Sequence, residues 1–213
     1  MRKDTDHASG KDHNGLAVSP PAFDAGTTWL EHHFLIAMPQ LQDPNFHGTV
    51  TYLWKHDEHG ALGVVINRPS SLPIAEMLEE LKITVNDQVV DRLTLKRVLA
   101  GGPVEKNKGF ILHEAGNEWE YTLPINDEIS MSMSRDILQD IANGAGPSRY
   151  IAALGCAGWD AGQLEQEISD NVWLTVPADT ALLFSENYDG MADAAAKLLG
   201  VSLSQLATLA GHS

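Results

Sequence analysis

The sequence predicts an α+β fold, with a mixed β-sheet that forms a closed or partly closed barrel flanked by helices. Three observations carry this. Short β-branched and apolar runs outnumber the amphipathic stretches. They follow one another without the regular β-α-β alternation of a doubly wound fold. So many strands in one unit leave edges that curling would hide.

Residues 1–28 hold Asp, His, Gly, Ser and Lys without periodicity, broken by Pro20-Pro21, and read as a flexible tail. Residues 29–213 read as a single domain. The apolar run His33–Met38, ended by Pro39, predicts a buried strand. Thr49–Trp54 is β-branched and aromatic and predicts a second strand. His56-Asp57-Glu58-His59-Gly60 supplies a hairpin turn, and Ala61–Ile66 returns as a third strand that stops at Asn67-Arg68-Pro69.

Ser71–Lys82 predicts a helix. Ser71 serves as N-cap and Pro73 sits in the first turn, while Ile74, Met77, Leu78 and Leu81 form one apolar stripe. Short strands are expected around Arg97–Ala100, Phe110–His113, Trp119–Leu123 and Ile129–Met133. Ser134 can cap a helix that carries Ile137, Leu138 and Ile141 inward and stops at Gly144. Arg149–Leu154 is a further strand. Asp160 with Gln163 three residues on resembles a capping box and opens a helix. Val172–Val176 and Thr180–Phe184 read as two strands around the turn Pro177-Ala178-Asp179. Asp189–Leu199 and Ser202–Ala210 complete the chain as helices.

Composition excludes several functions. The net charge is -15 and the 14 Lys and Arg are scattered, Lys106 and Lys108 being the densest pair after Arg2-Lys3. Such a chain repels a phosphate backbone, so direct nucleic-acid binding is not expected. No apolar stretch reaches the ~18 residues of a membrane helix, and no apolar leader core is seen. A cytoplasmic protein that makes no membrane contact is expected. The single Cys156 allows no intramolecular disulfide.

Motifs for chemistry are sparse. No Gly-Lys-Ser/Thr follows the glycine pair, so no phosphate loop is present. His56 and His59 fall in a hairpin, and His113-Glu114 has no second histidine, so no metal site or cofactor is expected. Cys156 lacks a thiolate-stabilising neighbour in sequence. Glu165 and Glu167 stand two apart on a helix and cannot converge, whereas Gln163 and Glu167 share a face. Trp159 reads as a core anchor.

Two glycine-bearing blocks, Gly101-Gly102-Pro103-Val104 with Gly109–His113 and Gly158–Ile168, stand out. With Phe34–Pro39, Asp43-Pro44, Phe46, Gly63–Pro69, Asn171, Trp173-Leu174, Leu183-Phe184 and Gly211-His212, they resemble the YqgE/AlgH family from about Leu30 onward. The resemblance implies a bacterial cytoplasmic protein of α+β fold with a mixed barrel. It also implies a loose transcriptional-regulator label without assigned catalytic residues. Departures are the extra leading segment and Cys156, where relatives often carry tyrosine.

The expected function is that of an uncharacterised, non-enzymatic protein that binds an unknown protein partner in a regulatory pathway. The alternative is a binder or enzyme for a small anionic ligand, a phosphate or carboxylate. Its candidate site is Asn67, Arg68, Gly101, Gly102 and His113. Glycine N–H groups would form an anion-binding concavity and Arg68 would supply charge. A direct DNA-binding regulator ranks third. Gly101-Gly102-Pro103 reads first as a tight turn, since glycine marks turns far more often than it cradles ligands.

Overall fold

The computed structural model describes residues 29–203. The segment 1–28 and nearly all of the helix expected over 202–210 lie outside the described residues. In chain order the elements are β1 (His33–Ala37), β2 (Val50–Asp57), β3 (Gly60–Val65), β4 (Pro69–Pro73), α1 (Ile74–Glu80), α2 (Val90–Leu95), β5 (Arg97–Ala100) and β6 (Val104–Glu114). There follow β7 (Thr122–Pro124), β8 (Ile129–Ser132), α3 (Arg135–Asn143), β9 (Tyr150–Asp160), α4 (Gln163–Ser169), β10 (Trp173–Pro177), α5 (Thr180–Leu183) and α6 (Met191–Lys197).

The strands form one curled half-barrel sheet in the order β10-β1-β2-β3-β9-β6-β8-β7, with β5 also on β9 and β4 on β5. Every pairing is antiparallel except β5 with β9, which makes the sheet mixed. β9 is the shared strand. Its first part pairs with β5 and β6, and Ala157–Asp160 pairs with β3. Because β9 is covered on both faces, its first part is an almost unbroken apolar run.

The period-two alternation of strand side chains divides the core. Phe34 and Ile36 of β1 join Tyr52, Trp54 and Phe110 inside the curl, which Leu183, Met191, Ala195 and Ala196 of α5 and α6 close. Leu35 and Ala37 face the other way, toward Trp159, Leu164 and Trp173. On the far side Ile111 and Ala152 meet Ile74, Met77 and Leu78 of α1, Leu93 of α2 and Ile137 and Ile141 of α3. Among the described residues no helix is long and apolar enough to cross a membrane.

Several expectations are corrected. Ser71 lies in β4, and α1 begins at Ile74 after Pro73, with no side-chain cap. Pro73 disfavours helical backbone in the residue before it and fixes its own φ, so the chain stays extended up to it. Leu81 is 41% exposed and ends the stripe, because the helix stops at Glu80 and Lys82 turns the chain with φ 57°. Thr180–Phe184 is not a strand. The Asp179 carboxylate accepts the Leu182 N–H at 2.7 Å and starts α5. The strand ending at Leu154 runs on to Asp160, and α4 opens only at Gln163 after Gly162 (φ 77°). One half of the capping box does form, since Gln163 Oε1 accepts the Asp160 N–H at 3.0 Å. The strand expected over Trp119–Leu123 shrinks to Thr122–Pro124, and Trp119 instead donates its indole N–H to Asp140. The helix α2 has no sequence signal of comparable strength, because only Leu93 of its residues is buried.

Candidate functional site

Asn67 and Arg68 follow β3 and face the connection between β1 and β2. Asn67 Oδ1 accepts the Val50 N–H at 2.8 Å, and its Nδ2 donates to the Gly48 carbonyl at 3.0 Å. Arg68 Nη1 donates to the carbonyls of Pro44 (2.9 Å) and Asn45 (2.7 Å), and Nη2 donates to that of His47 (3.0 Å). A guanidinium carries five N–H donors, so the Nε–H and one Nη2–H are not used by these bonds. Both side chains therefore staple a polar loop to the end of β3.

Arg68 also lines a cavity of about 310 Å³ with Asn45, Ser70, Gly102, Lys106 and Leu154 among its walls. Two cationic side chains and no carboxylate line it. Lys106 sits on a bulge of β6, where Val104 pairs with Cys156 but Gly109 pairs with Leu154, so extra residues project from the sheet. Glu105 takes φ 48° in this bulge and pairs with Lys108 at 3.0 Å. Lys106 has no hydrogen-bond or ion-pair partner among the described residues.

The glycine pair divides its work. Gly101 is buried. Its N–H donates to the Leu154 carbonyl at 2.8 Å and its carbonyl accepts the Val65 N–H at 2.8 Å, so it offers no amide to a ligand. Gly102 (φ 153°) is half-buried and faces the cavity. The structure thus brings together Arg68 and Gly102 of the expected residues and leaves Asn67 and Gly101 behind the wall. Lys106, Asn45 and Ser70 were not among the sequence candidates. The one signal for Lys106 is its place in the densest basic pair of the domain.

His113 does not reach the cavity. It is fully buried in β6. Its Nδ1 donates to the Glu114 carbonyl at 2.8 Å, which leaves Nε2 to accept the Ser132 hydroxyl at 2.9 Å. Ser132 is buried too, and Thr122 Oγ1 lies 2.8 Å from its Oγ. Serine and histidine are spaced as in a nucleophile–base pair, yet no substrate can touch either one. Burial holds the imidazole below its ordinary pKa of 6.5, with a smaller opposing effect from the Glu114 carbonyl. His32 is shifted the same way by burial and by His33. Below pH about 6.5 the unfolded chain gains protons that these rings refuse when folded, so stability is full above this pH and is lost as pH falls below it. Urea midpoints at pH 7.5 and 5.5 should show the drop. At pH 6.5 the His113 ring should be less than half protonated by NMR, and a ring half-charged there would contradict the buried arrangement.

Other reactive side chains are also engaged. His56, buried in β2, accepts the Leu30 N–H on Nδ1 (2.9 Å) and so donates from Nε2 to Glu165 (2.9 Å). Glu167 Oε2 accepts the indole N–H groups of Trp159 (2.8 Å) and Trp173 (2.7 Å), and Oε1 accepts Gln163 Nε2 (2.8 Å). Glu165 and Glu167 thus point apart. The Cys156 thiol is buried and burial pushes its pKa up, which suppresses thiolate chemistry. No group of three or more His, Cys, Asp or Glu among the described residues could hold a metal ion.

A curled α+β half-barrel with a mixed sheet is the class of fold. An AlgH-like family model matches residues 34–204. The chain is 51% identical to the UPF0301 protein AlgH of Pseudomonas aeruginosa over 191 residues, covering 87% of this chain and 97% of that one. It is 46% identical to a UPF0301 protein of Chromohalobacter salexigens, covering 86% and 98%. The solution structure of AlgH from P. aeruginosa matches with a TM-score of 0.72 at 49% identity, over 90% of this chain and 100% of that chain. A crystal structure from Corynebacterium diphtheriae shares the fold at 17% identity, with a TM-score of 0.66. This protein belongs to the AlgH-like family.

Proposed function

We propose that this protein acts by binding, without catalysis, and that what it binds is a small anion held between Arg68 and Lys106. The observation that carries the reading is the cavity of about 310 Å³ with two cations and no carboxylate in its walls, in a chain whose net charge is -15. An acidic protein that keeps such a pocket free of acid provides a local field for an anion. A phosphate or carboxylate accepts charge-assisted hydrogen bonds there from the unspent Arg68 N–H groups and from the Lys106 ammonium. The absence of catalysis is supported by the engagement of His56, His113, Glu165 and Glu167 in internal hydrogen bonds and by the burial of Cys156. A regulatory role through a protein partner follows from this reading if anion occupancy alters the surface around Lys106.

Arg68→Ala is a poor test, since Arg68 also holds the Pro44–His47 carbonyls and its loss should loosen that loop. Lys106→Ala is the informative variant. Calorimetry with methyl phosphate and acetate at low salt should show binding by the parent. Lys106→Ala should weaken it about tenfold, with the melting temperature unchanged. No binding of either anion, or binding that Lys106→Ala leaves intact, overturns the proposal.

A further inference from the structure

A second cavity adjoins the first. It encloses about 410 Å³ between α1, α3 and the sheet, and its walls are mostly apolar. Leu72, Met77, Leu81, Met133 and Leu138 line it. Leu81 and Met133 are each 41% exposed there. The two cavities share Leu154 of β9. They are also linked along two strands. Ser70 of β4 lines the cationic cavity and Leu72, two residues on and donating its N–H to the Ser70 hydroxyl at 3.1 Å, lines the apolar one. On the β6 bulge, Lys106 belongs to the first and Asn107 and Lys108 to the second.

From this juxtaposition we infer that the ligand is an anionic amphiphile. Its phosphate or carboxylate head sits between Arg68 and Lys106, and its apolar chain passes Leu154 into the groove between α1 and α3. This rests on the anion-binding reading above and adds the chemistry of the rest of the ligand. Charge complementarity fixes the orientation. The head site holds two cations and no carboxylate, whereas the groove holds Glu80 beside Lys108 and Arg135 and so carries one net positive charge. Lys108 is paired with Glu105 at 3.0 Å, whereas neither Arg68 nor Lys106 meets a carboxylate among the described residues, which makes the Arg68–Lys106 end the place for an unpaired negative charge. An apolar chain gains by covering Leu81 and Met133, which water otherwise wets.

The test is calorimetry on the full chain with methyl, hexyl and dodecyl phosphate below their micelle concentrations, and with dodecanol as the uncharged control. Affinity should rise with chain length, up to about fourfold for each methylene that is buried, which corresponds to about 0.8 kcal/mol. Met133→Asp should abolish the chain-length dependence but spare methyl phosphate. Lys106→Glu should weaken all three phosphates at least tenfold. Both side chains are exposed, so melting temperatures should stay near the parent's. Methyl phosphate binding with no gain from longer chains overturns the amphiphile inference and leaves the anion site standing. Failure of every phosphate overturns both. Dodecanol binding as tightly as dodecyl phosphate, or a chain-length dependence that Met133→Asp does not touch, places the chain elsewhere and overturns the inference.

Discussion

Gly102→Ala is expected to leave little folded protein. A Cβ at this position would lie 2.2 Å from both the carbonyl carbon and oxygen of Cys156 and 2.6 Å from the Ala157 nitrogen. These are backbone atoms of β9, and β9 cannot retreat, because β3 holds it on one side and β6 on the other. Gly102 also has φ 153°, within the range that L side chains rarely adopt. Overpacking against movable side chains costs about 1–3 kcal/mol. Against a pinned backbone with an added conformational penalty, about 4 kcal/mol or more is expected, a large part of the ~5–15 kcal/mol that holds a domain together. Gly101 is as confined, its added Cβ falling 2.3 Å from the Gly155 carbonyl oxygen. Soluble yield and thermal melting decide the matter. A Gly102→Ala protein that melts within a few degrees of the parent would show that β9 gives way after all.

Glu167→Ala should be the most damaging change at a side-chain hydrogen-bond hub. Trp159 and Trp173 are 6% and 4% exposed, and both indoles donate to the same carboxylate oxygen. Truncation strands two buried donors at about 1–3 kcal/mol each, so a loss of about 2–6 kcal/mol is expected. Glu167→Gln keeps a carbonyl oxygen for the indoles but turns its amide toward the Gln163 amide, and should lose less. Urea denaturation followed by tryptophan fluorescence separates the two. Equal midpoints for Glu167→Ala and Glu167→Gln would mean that water already satisfies these indoles.

Much of the fold could be read from residues whose pattern has one solution. Phe34–Ile36 and Tyr150–Leu154 are apolar runs too short for buried helices, and both are strands. Ile137 and Ile141 with Gly144 (φ 77°) mark α3 as expected. Failures occurred where a polar residue had two possible uses. Ser71 could cap or extend, and Pro73 decided it. Asp179 could turn a hairpin or cap a helix, and its carboxylate does the latter. The site was legible in part. Arg68 and Gly102 meet because the end of β3 is tied to the end of β5, the Val65 N–H donating to the Gly101 carbonyl and the Ala100 N–H to the Arg68 carbonyl, each at 2.8 Å. His113 looked similar in sequence because it ends an apolar run, but strand alternation turns it into the β6–β8 layer. Lys106 was hidden because a bulge of this length has no periodicity to reveal it. Glu167 was seen as sharing a face with Gln163, yet its indole partners come from β9 and β10, on either side of α4, and helical spacing alone cannot locate them.

The central position of β9 also has a kinetic consequence. β3, β5 and β6 all leave the ribosome before their common partner does, and β1 waits still longer for β10. Until then the nascent chain holds local hairpins with open edges and uncovered apolar faces. Its decisive contacts are distant in sequence, which makes closure slow and the waiting chain prone to self-association. A chain truncated before Tyr150 should thus form no stable product, whereas folding should become possible in one late, cooperative step once β9 and β10 are available together.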